Sequence, residues 1–274
     1  MSESIKERAY AKLNLALSVT GRTGDYHTIE TLFQSIDLYD VVTLSKRKDT
    51  EITSDFPGDN SLVVLSHIQK AFGLGGMHVS TEKRIPLAGG LGGSSADAAA
   101  AALSCANLFD LPEQAVFDCV KDLFGDIAFQ MTKGTAVGQG IGSDLTPLAP
   151  LPTYYVLLAF PSAGVSTKEA YDLCDRTPHR AADIAALHEA LLRGEKAQAY
   201  YVNDLLPPAL KLNSDIAPLL AKMTDDDALL TGMSGSGSTL FSLYKTEDAA
   251  RAKAAALRVP TLVTRTINPN ADGK

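Results

Sequence analysis

Residues 85–102 read IPLAGGLGGSSADAAAAA, a glycine-rich segment followed directly by an alanine-rich one. Glycine lets the backbone approach a ligand closely, whereas alanine has the highest intrinsic helix propensity. The segment therefore predicts a loop that leads into the first turn of a helix. The first N–H groups of a helix have no partners within it, and the helix dipole adds partial positive charge there. This combination favours phosphate, with the Ser94 and Ser95 hydroxyls available for a hydrogen bond or for a phosphate-bound Mg²⁺.

Glycine content alone leaves a second interpretation open, which is a turn ahead of a core helix with small side chains. Of two common nucleotide motifs, the Walker A loop is excluded and the Rossmann loop is disfavoured. A Walker A loop needs Lys after its second glycine, and no lysine lies between these glycines and Ser94. A Rossmann loop needs a βαβ unit with an acidic ribose ligand, and the sequence after the loop shows neither.

The composition predicts an ordinary globular protein. The 274 residues are 45% hydrophobic and 21% charged, which is enough chain for two domains with buried cores. A net charge of −7 argues against nucleic acid or an anionic membrane as a partner. No apolar run reaches the about 18 residues of a membrane span, and MSESIKERAY contains no apolar signal segment. We therefore expect a cytoplasmic protein, with Cys105, Cys119 and Cys174 as buried reduced thiols.

Residues 9–19 alternate between apolar and polar or small side chains, which is typical of a half-buried strand. The alternation places Lys12 and Asn14 about 7 Å apart on the face away from the predicted core. By itself this pattern favours a solvated face with an incidental lysine.

The glycine-rich loop, read as P-x-x-x-G-L-G-G-S-S-x-D-A-A, resembles the phosphate loop of the GHMP kinase superfamily, which includes galactose, homoserine, mevalonate and phosphomevalonate kinases. AKLNL at residues 11–15 is similar to the first motif of that superfamily, and MSGSGSTLFSLY at residues 233–244 to the third. The three motifs occur in the expected order, and the resemblance extends from Ala9 to about Thr266. It implies an α+β fold of two domains, with ATP bound and the active site in the cleft between the domains.

TGRTGDYHTIETLFQ, residues 20–34, resembles the branch of the superfamily that phosphorylates 4-diphosphocytidyl-2-C-methyl-D-erythritol, although its turn is one residue shorter. In that interpretation Tyr26 stacks on a cytosine ring and His27 bonds its polar edge. Without the resemblance, a turn-capping His27 and a rim aromatic at Tyr26 would be favoured.

The resemblance also implies the residues of the site. Asp126 would accept the hydroxyl proton, and Lys12 would keep Asp126 ionised and polarise the hydroxyl. The segment FGDIAFQ departs from the family's G-A-D-V-P-F-F at Gly125 and Ala128, and an aspartate capping a turn is the alternative. The implied nucleotide-binding residues are Asn60, Lys83, Pro86, Gly89, Gly90, Leu91, Gly92, Gly93, Ser94 and Ser95. The implied substrate-binding residues are Asn14, Tyr26, His27, Asp126, Thr167 and Tyr171.

Two of these residues also have simpler interpretations, since Asn60 could cap a helix and Lys83 could be a surface lysine. The implied cofactors are ATP and Mg²⁺, with no metal held by protein ligands alone.

The remaining patterns predict the following elements: strands at 41–53, as a hairpin, and at 77–81 and 259–266, and helices at 60–72, 111–124, 181–193, 196–206, 214–223 and 247–257. A helix is also expected to begin at Ser166. The proline-rich run at residues 147–152 predicts a boundary between an N-terminal GHMP kinase domain, residues 1–150, and a C-terminal one, residues 151–274.

The expected activity is ATP-dependent phosphorylation of the 2-hydroxyl of 4-diphosphocytidyl-2-C-methyl-D-erythritol, in the non-mevalonate (MEP) pathway of isoprenoid and terpenoid biosynthesis. The alternatives are another small-molecule GHMP kinase, of the mevalonate or homoserine type, and a non-catalytic binding protein with the same fold. The expected partner is thus a small molecule, and we expect a monomer or a weak homodimer.

Overall fold

The computed structural model describes residues 3–56 and 60–268. Helices and strands are mixed along the chain, which forms two compact units. The first unit comprises Met1–Ala11, Leu38–Pro86 and Gly92–Thr132, and the second comprises Lys12–Asp37, Leu87–Leu91 and Lys133–Lys274. The α+β fold class is confirmed.

Two long strands contribute to both units. β1 (Ser4–Thr23) and β2 (Tyr26–Lys46) pair with each other and are joined by a two-residue turn. Gly24, the first turn residue, has φ 57°, which suits glycine at the first position of such a hairpin loop. The shortened turn is therefore a tight hairpin, with Tyr26 and His27 opening the second strand.

In the first unit, β4 (Met77–Glu82) lies between β2 and β3 (Ile52–Ser54). It runs antiparallel to β2 and parallel to β3. The predicted hairpin over residues 41–53 is therefore wrong. The KRKDT segment lacks the Asn-Gly type of turn signal, and β4, from later in the chain, takes the place beside β2 that β3 would have filled.

The helices of the first unit are α1 (Ser61–Phe72), α2 (Gly93–Leu108), α3 (Glu113–Val120) and α4 (Ile127–Thr132). α1 ends at Gly73, whose φ of 65° is the left-handed conformation common at helix ends. α2 packs against the other three helices, and its alanines are buried around the whole helix. The predicted helices at 60–72 and after the glycines are confirmed, and the one at 111–124 is shorter than expected.

In the second unit, β2 pairs with β5 (Thr135–Gln139), which pairs in turn with β6 (Asp144–Pro147). A separate antiparallel sheet of the described residues has the strand order β10–β7–β9–β8. Its strands are β7 (Tyr155–Ala159), β8 (Leu230–Met233), β9 (Leu240–Tyr244) and β10 (Thr261–Arg265).

The helices of the second unit are α5 (Thr167–Cys174), α6 (Ile184–Leu192), α7 (Leu206–Leu212), α8 (Ile216–Met223) and α9 (Glu247–Ala256). Ser166 caps α5 by accepting the Glu169 N–H, as expected from a helix that begins at this serine.

The predicted helix at 196–206 is wrong, because the segment forms a short 3₁₀ helix at Gln198–Tyr200 and then continues as extended chain. Backbone bonds from Leu17 N–H to Val202 and from Asp204 N–H to Leu17 hold that chain against β1. Aromatic and β-branched residues here have low helix propensity, so the pairing with β1 prevails.

The prediction of a half-buried β1 is also wrong, because both faces of the strand are buried between Ala11 and Val19. Lys12 is 4% and Asn14 2% exposed, so these polar side chains are as inaccessible as the leucines between them. Cys105 and Cys174 are buried free thiols as predicted, whereas Cys119 is partly exposed. Within the described ranges, no helix has the length and apolar character to cross a membrane.

Candidate active site

The two units divide the predicted site residues between them, and each unit is described by itself. The first unit contains Asn60, Lys83, Pro86, Gly92, Gly93, Ser94, Ser95 and Asp126. The second contains Lys12, Asn14, Tyr26, His27, Gly89, Gly90, Leu91, Thr167 and Tyr171.

In the first unit, the glycine-rich loop ends at the N-terminus of α2. Gly92 occupies the N-cap position with φ 70°, and no side chain caps the helix. A β-carbon built on Gly93 would lie 3.2 Å from Cγ2 of Ile85, so the backbone is closely packed here. An uncapped N-terminus of a 16-residue helix, entered through a left-handed glycine, has the donors and the dipole that phosphate oxygens require.

Lys83 lies just ahead of this loop and binds two buried carboxylates. Its Nζ contacts Oδ2 of Asp40, on β2, and Oδ2 of Asp97, on α2, the latter at 2.6 Å. Oδ1 of Asp40 also accepts the backbone N–H groups of Arg84 and Ile85. The Asp40–Lys83–Asp97 cluster thus fixes the segment before the loop to β2 and to the first turns of α2. Lys83 is a partly buried, paired lysine and not a solvated one.

Two carboxylates share one ammonium group in this cluster, so one negative charge is not balanced within it. Burial raises the pKa of Asp97 to about 7, and its Oδ1 has no hydrogen-bond partner among the described residues. Burial lowers the pKa of Lys83, but the hydrogen bonds that its ammonium group donates to the two carboxylates, together with their negative charge, outweigh this effect and raise the pKa overall.

Asp126 directly precedes α4, whose Gln130 connects it to the loop. The backbone carbonyl of Asp126 accepts the Gln130 N–H, and Nε2 of Gln130 donates to the Gly92 carbonyl at 3.4 Å. Asn60 occupies the N-cap position of α1 without capping it through its side chain, while its backbone N–H donates to Oγ of Ser94 at 3.3 Å. The side chain of Asn60 is therefore not used as a helix cap.

In the second unit, Lys12 and Asn14 form a buried polar row on β1. Nζ of Lys12 lies 2.5 Å from Oδ1 of Asn14 and 5.4 Å from the centre of the Phe33 ring. Nδ2 of Asn14 donates to Oγ1 of Thr31, which donates to the Ala16 carbonyl. The side-chain amide of Asn14 uses both its oxygen and its nitrogen in this row of hydrogen bonds. Asn14 therefore orients Lys12.

Ser234, from the third sequence motif, connects this row to the first half of the glycine-rich loop. Its hydroxyl accepts the Asn14 N–H at 3.1 Å and donates to the Gly90 carbonyl at 2.9 Å. Lys12 N–H donates to the Leu91 carbonyl at 3.0 Å. A β-carbon on Gly90 would lie 2.2 Å from the Ser234 carbonyl oxygen, so only glycine fits this approach.

A second cluster in this unit surrounds His27. The His27 ring stacks on Tyr171 of α5 with 4.5 Å between ring centres, and its Nε2 lies 2.7 Å from Oδ1 of Asp175. Tyr26 is 66% exposed beside it, and Thr167 contacts the Ser236 hydroxyl at 2.9 Å. The His27 side chain therefore binds a carboxylate far away in sequence.

Sequence reasoning missed four residues that organise these clusters: Asp40, Asp97, Asp175 and Ser234. An aspartate within a run of alanines is a detectable signal for Asp97, because a lone acid in a buried helix requires a partner. Asp175 lies 148 positions from His27, and the local pattern around it contains no such signal.

Among the described residues, no cluster of three or more His, Cys, Asp or Glu side chains could hold a metal ion.

Comparison with known proteins identifies close relatives. Residues 60–143 match the family described as GHMP kinases N terminal domain, and residues 181–259 match GHMP kinases C terminal. The 4-diphosphocytidyl-2-C-methyl-D-erythritol kinase of Moorella thermoacetica is 36% identical over 279 residues, which cover 94% of this chain and 98% of that protein.

Solved structures are similar to this chain as well. A crystal structure of 4-(cytidine 5′-diphospho)-2C-methyl-D-erythritol kinase matches with a TM-score of 0.83 at 32% identity, covering 96% of this chain and 99% of that one. A homoserine kinase from Cytophaga hutchinsonii matches with a TM-score of 0.69 over 98% of this chain and 96% of its own, but at 18% identity. The latter similarity shows a common fold alone.

Proposed function

The chain belongs to the GHMP kinase family of small-molecule kinases, and we propose that it transfers the γ-phosphoryl group of ATP to the 2-hydroxyl of 4-diphosphocytidyl-2-C-methyl-D-erythritol. This reaction belongs to the non-mevalonate route of isoprenoid synthesis. The observation that carries the substrate assignment is the 36% identity over nearly the full length of a kinase with that name. Similarity to the homoserine kinase extends only to the fold.

The His27 cluster supports a substrate that contains a nucleobase. Stacked aromatic rings offer a flat surface beside a hydrogen-bonding ring nitrogen, and the exposed Tyr26 adds a second aromatic face. A cytosine ring can use both features, whereas mevalonate and homoserine contain no base. We propose that Tyr26, His27, Thr167 and Tyr171 bind the cytidyl part of the substrate.

The N-terminus of α2 fits the phosphates of ATP because its N–H groups are uncapped and its glycines allow close approach. Mg²⁺ bound to those phosphates, with Ser94 or Ser95 as a protein ligand, would neutralise their negative charge. We propose that the nucleotide is bound by Asn60, Lys83, Pro86, Gly89, Gly90, Leu91, Gly92, Gly93, Ser94 and Ser95. Lys83 acts partly by holding the loop through Asp40 and Asp97.

Phosphoryl transfer requires a positioned nucleophile and stabilisation of the charge on the transferring group. We propose that Asp126 accepts the proton of the substrate hydroxyl, while the Lys12 ammonium polarises that hydroxyl and keeps the carboxylate ionised. Asn14 and Thr31 orient Lys12 for this role through the hydrogen bonds that join them.

Three acceptor alcohols distinguish this function from those of other GHMP kinases. Purified protein with ATP and Mg²⁺ should release ADP with 4-diphosphocytidyl-2-C-methyl-D-erythritol, and kcat/KM for mevalonate and homoserine should be lower by orders of magnitude. A preference for either of the latter would contradict the substrate assignment. Absence of turnover with all three would favour a binding protein, although such a protein would be expected to have lost Lys12 or Asp126, and both are present.

Two further predictions concern the protein in solution. We propose a monomer or weak homodimer located in the cytoplasm, which sedimentation velocity over a range of concentrations and cell fractionation would test.

A further inference from the structure

We propose that Asp175 selects the tautomer of His27 and thereby makes the site accept cytidine and reject uridine. The inference rests on the proposed function, since it assumes that the substrate carries a cytosine base at His27. Asp175 is in this account a positioning residue that acts through the histidine.

The geometry around the imidazole fixes the ring on two sides. Nε2 lies 2.7 Å from Oδ1 of Asp175, the first residue after α5, and the ring face stacks on Tyr171 with an interplanar angle of 22°. Only 9% of the His27 side chain is exposed. The guanidinium of Arg22 lies 3.2 Å from the other carboxylate oxygen of Asp175, and His179 also interacts electrostatically with this carboxylate.

A carboxylate can only accept hydrogen bonds, so the proton between the two groups belongs to Nε2. The hydrogen bond to His27, with the nearby positive charges, lowers the pKa of Asp175, which keeps it in the accepting form. In the neutral ring the remaining nitrogen, Nδ1, is then a hydrogen-bond acceptor. Asp175 thus determines which hydrogen-bonding character His27 presents to a ligand.

The two pyrimidine bases differ at the group that such an acceptor would read. Cytosine has an exocyclic amine at C4, which donates hydrogen bonds, whereas the 4-carbonyl of uracil accepts them. Nδ1 as an acceptor matches cytosine and faces the uracil carbonyl without a proton between them. With Nδ1 as a donor the preference would reverse.

The tautomer can be measured without any substrate. In the wild-type protein, ¹⁵N–¹H correlation spectra of the His27 ring in mildly alkaline buffer should show a protonated Nε2 and an unprotonated Nδ1. A ring protonated at Nδ1 would overturn the proposal, even if Asp175 variants failed to fold.

The consequence for specificity is tested with Asp175→Asn, whose side chain can either donate to or accept from Nε2 and so releases the tautomer. The ratio of kcat/KM for the cytidyl substrate to that for its uridyl counterpart should fall on the order of tenfold, because an unmatched buried polar group is penalised. The change should appear in KM, with kcat at saturating cytidyl substrate largely retained. Asp172→Asn is the matched control, because Asp172 is in the last turn of α5, just before Asp175, and pairs with Lys168 at the surface. Its ratio should not change.

An unchanged ratio in folded Asp175→Asn would overturn the proposal. Binding of CDP and UDP, measured by titration calorimetry, separates this failure from that of the proposed function. Wild-type protein that binds CDP and UDP equally would overturn the role of Asp175 while phosphorylation of the cytidyl substrate could still be observed. Wild-type protein that binds neither would overturn both.

Discussion

At the scale of single residues, Lys12 is unusual because it is a nearly inaccessible cation on a strand. A buried charge is tolerated only when polar partners surround it. Asn14 supplies one, at 2.5 Å, and Thr31 holds Asn14 in turn. The two-residue period of the strand places Lys12 and Asn14 on the same face, so the position of the charge follows from the strand itself.

Asp126 is the residue whose chemistry can be tested most simply. Asp126→Asn keeps the side-chain shape but removes the proton acceptor, so kcat should fall on the order of 10²–10⁴-fold with little change in either KM. Steady-state kinetics would measure this. Asp122→Asn is the control, since Asp122 is exposed four residues earlier in the chain and should leave kcat unaltered. Near-normal turnover of Asp126→Asn would remove Asp126 from the proposed mechanism.

The sequence predicts which residues are candidates for the site better than it predicts the side chains that surround them in the structure. Lys12, Asn14 and His27 stand out from their motifs, but the alternation on β1 predicts one solvated face, whereas both faces are covered. The covering groups come from distant parts of the chain, as Ser234 does for Asn14 and Asp175 for His27. A local pattern contains no information about partners 148 or 220 positions away.

At the scale of elements, the Asp40–Lys83–Asp97 cluster joins β2, the segment before the loop, and α2. Because it fixes both ends of the glycine-rich segment within the first unit, its charge state influences the stability of that unit. One carboxylate of the pair is ionised at a cost, since a single ammonium serves both.

This cluster predicts a pH dependence of folding. The pKa of Asp97 rises from 3.8 to about 7 in the folded protein, so the folded state holds a proton there that the unfolded state has lost. Preferential protonation of Asp97 in the folded state stabilises the protein. This contribution to the free energy of unfolding is complete below pH 3.8 and is lost as the pH rises through about 7. A pKa difference of one corresponds to about 1.4 kcal/mol, so the contribution lost is at most about 4 kcal/mol.

Urea unfolding of wild type and Asp97→Asn at several pH values tests this group, because the titrations of groups outside the cluster cancel in the difference. The free energy of unfolding of wild type minus that of the variant should decrease between pH 4 and pH 7. A difference that increased over that range would show that Asp97 is stabilised as a carboxylate.

A second prediction at this scale concerns Gly92, the N-cap residue of α2. Gly92→Ala places a side chain at φ 70°, which should cost about 1–2 kcal/mol in stability and, by disturbing the phosphate loop, should weaken ATP binding. Gly73→Ala is the matched control, because Gly73 has φ 65° at the end of α1 and open space where the β-carbon would lie. Thermal melting and ATP titration should show equal destabilisation of the two variants but weaker binding only for Gly92→Ala. Equal ATP affinity in both would argue that the glycine serves the backbone turn alone.

Elements with strong local signals could be predicted from the sequence, and those decided by pairing could not. The alanine run and the Asn60–Phe72 periodicity are helical in the structure. Residues 41–53 and 196–206 were mispredicted because β4 and β1, respectively, supply backbone partners that are distant in sequence. The local signals for a hairpin or a helix are weak in these two segments, so long-range backbone hydrogen bonds decide their structure.

At the scale of the whole molecule, the α+β fold was predictable because three motifs in a fixed order identified the family. The division at residues 150 and 151 stays a prediction. The compact units are each assembled from three stretches of the chain, because β1 and β2 begin in one unit and end in the other. Strands shared between two units cannot be detected from composition, whereas a proline-rich run can.

The proposed reaction of this kinase places the phosphate on the 2-hydroxyl of the cytidyl substrate. The name of that compound places a methyl group on carbon 2, so this carbon bears no hydrogen, unlike carbons 1 and 3 of the same chain. The ³¹P NMR spectrum of the reaction with ATP should therefore show a new phosphomonoester signal without splitting by a P–O–C–H proton. A doublet or triplet would place the phosphate on another hydroxyl, and the absence of any new phosphomonoester signal would contradict the proposed activity itself.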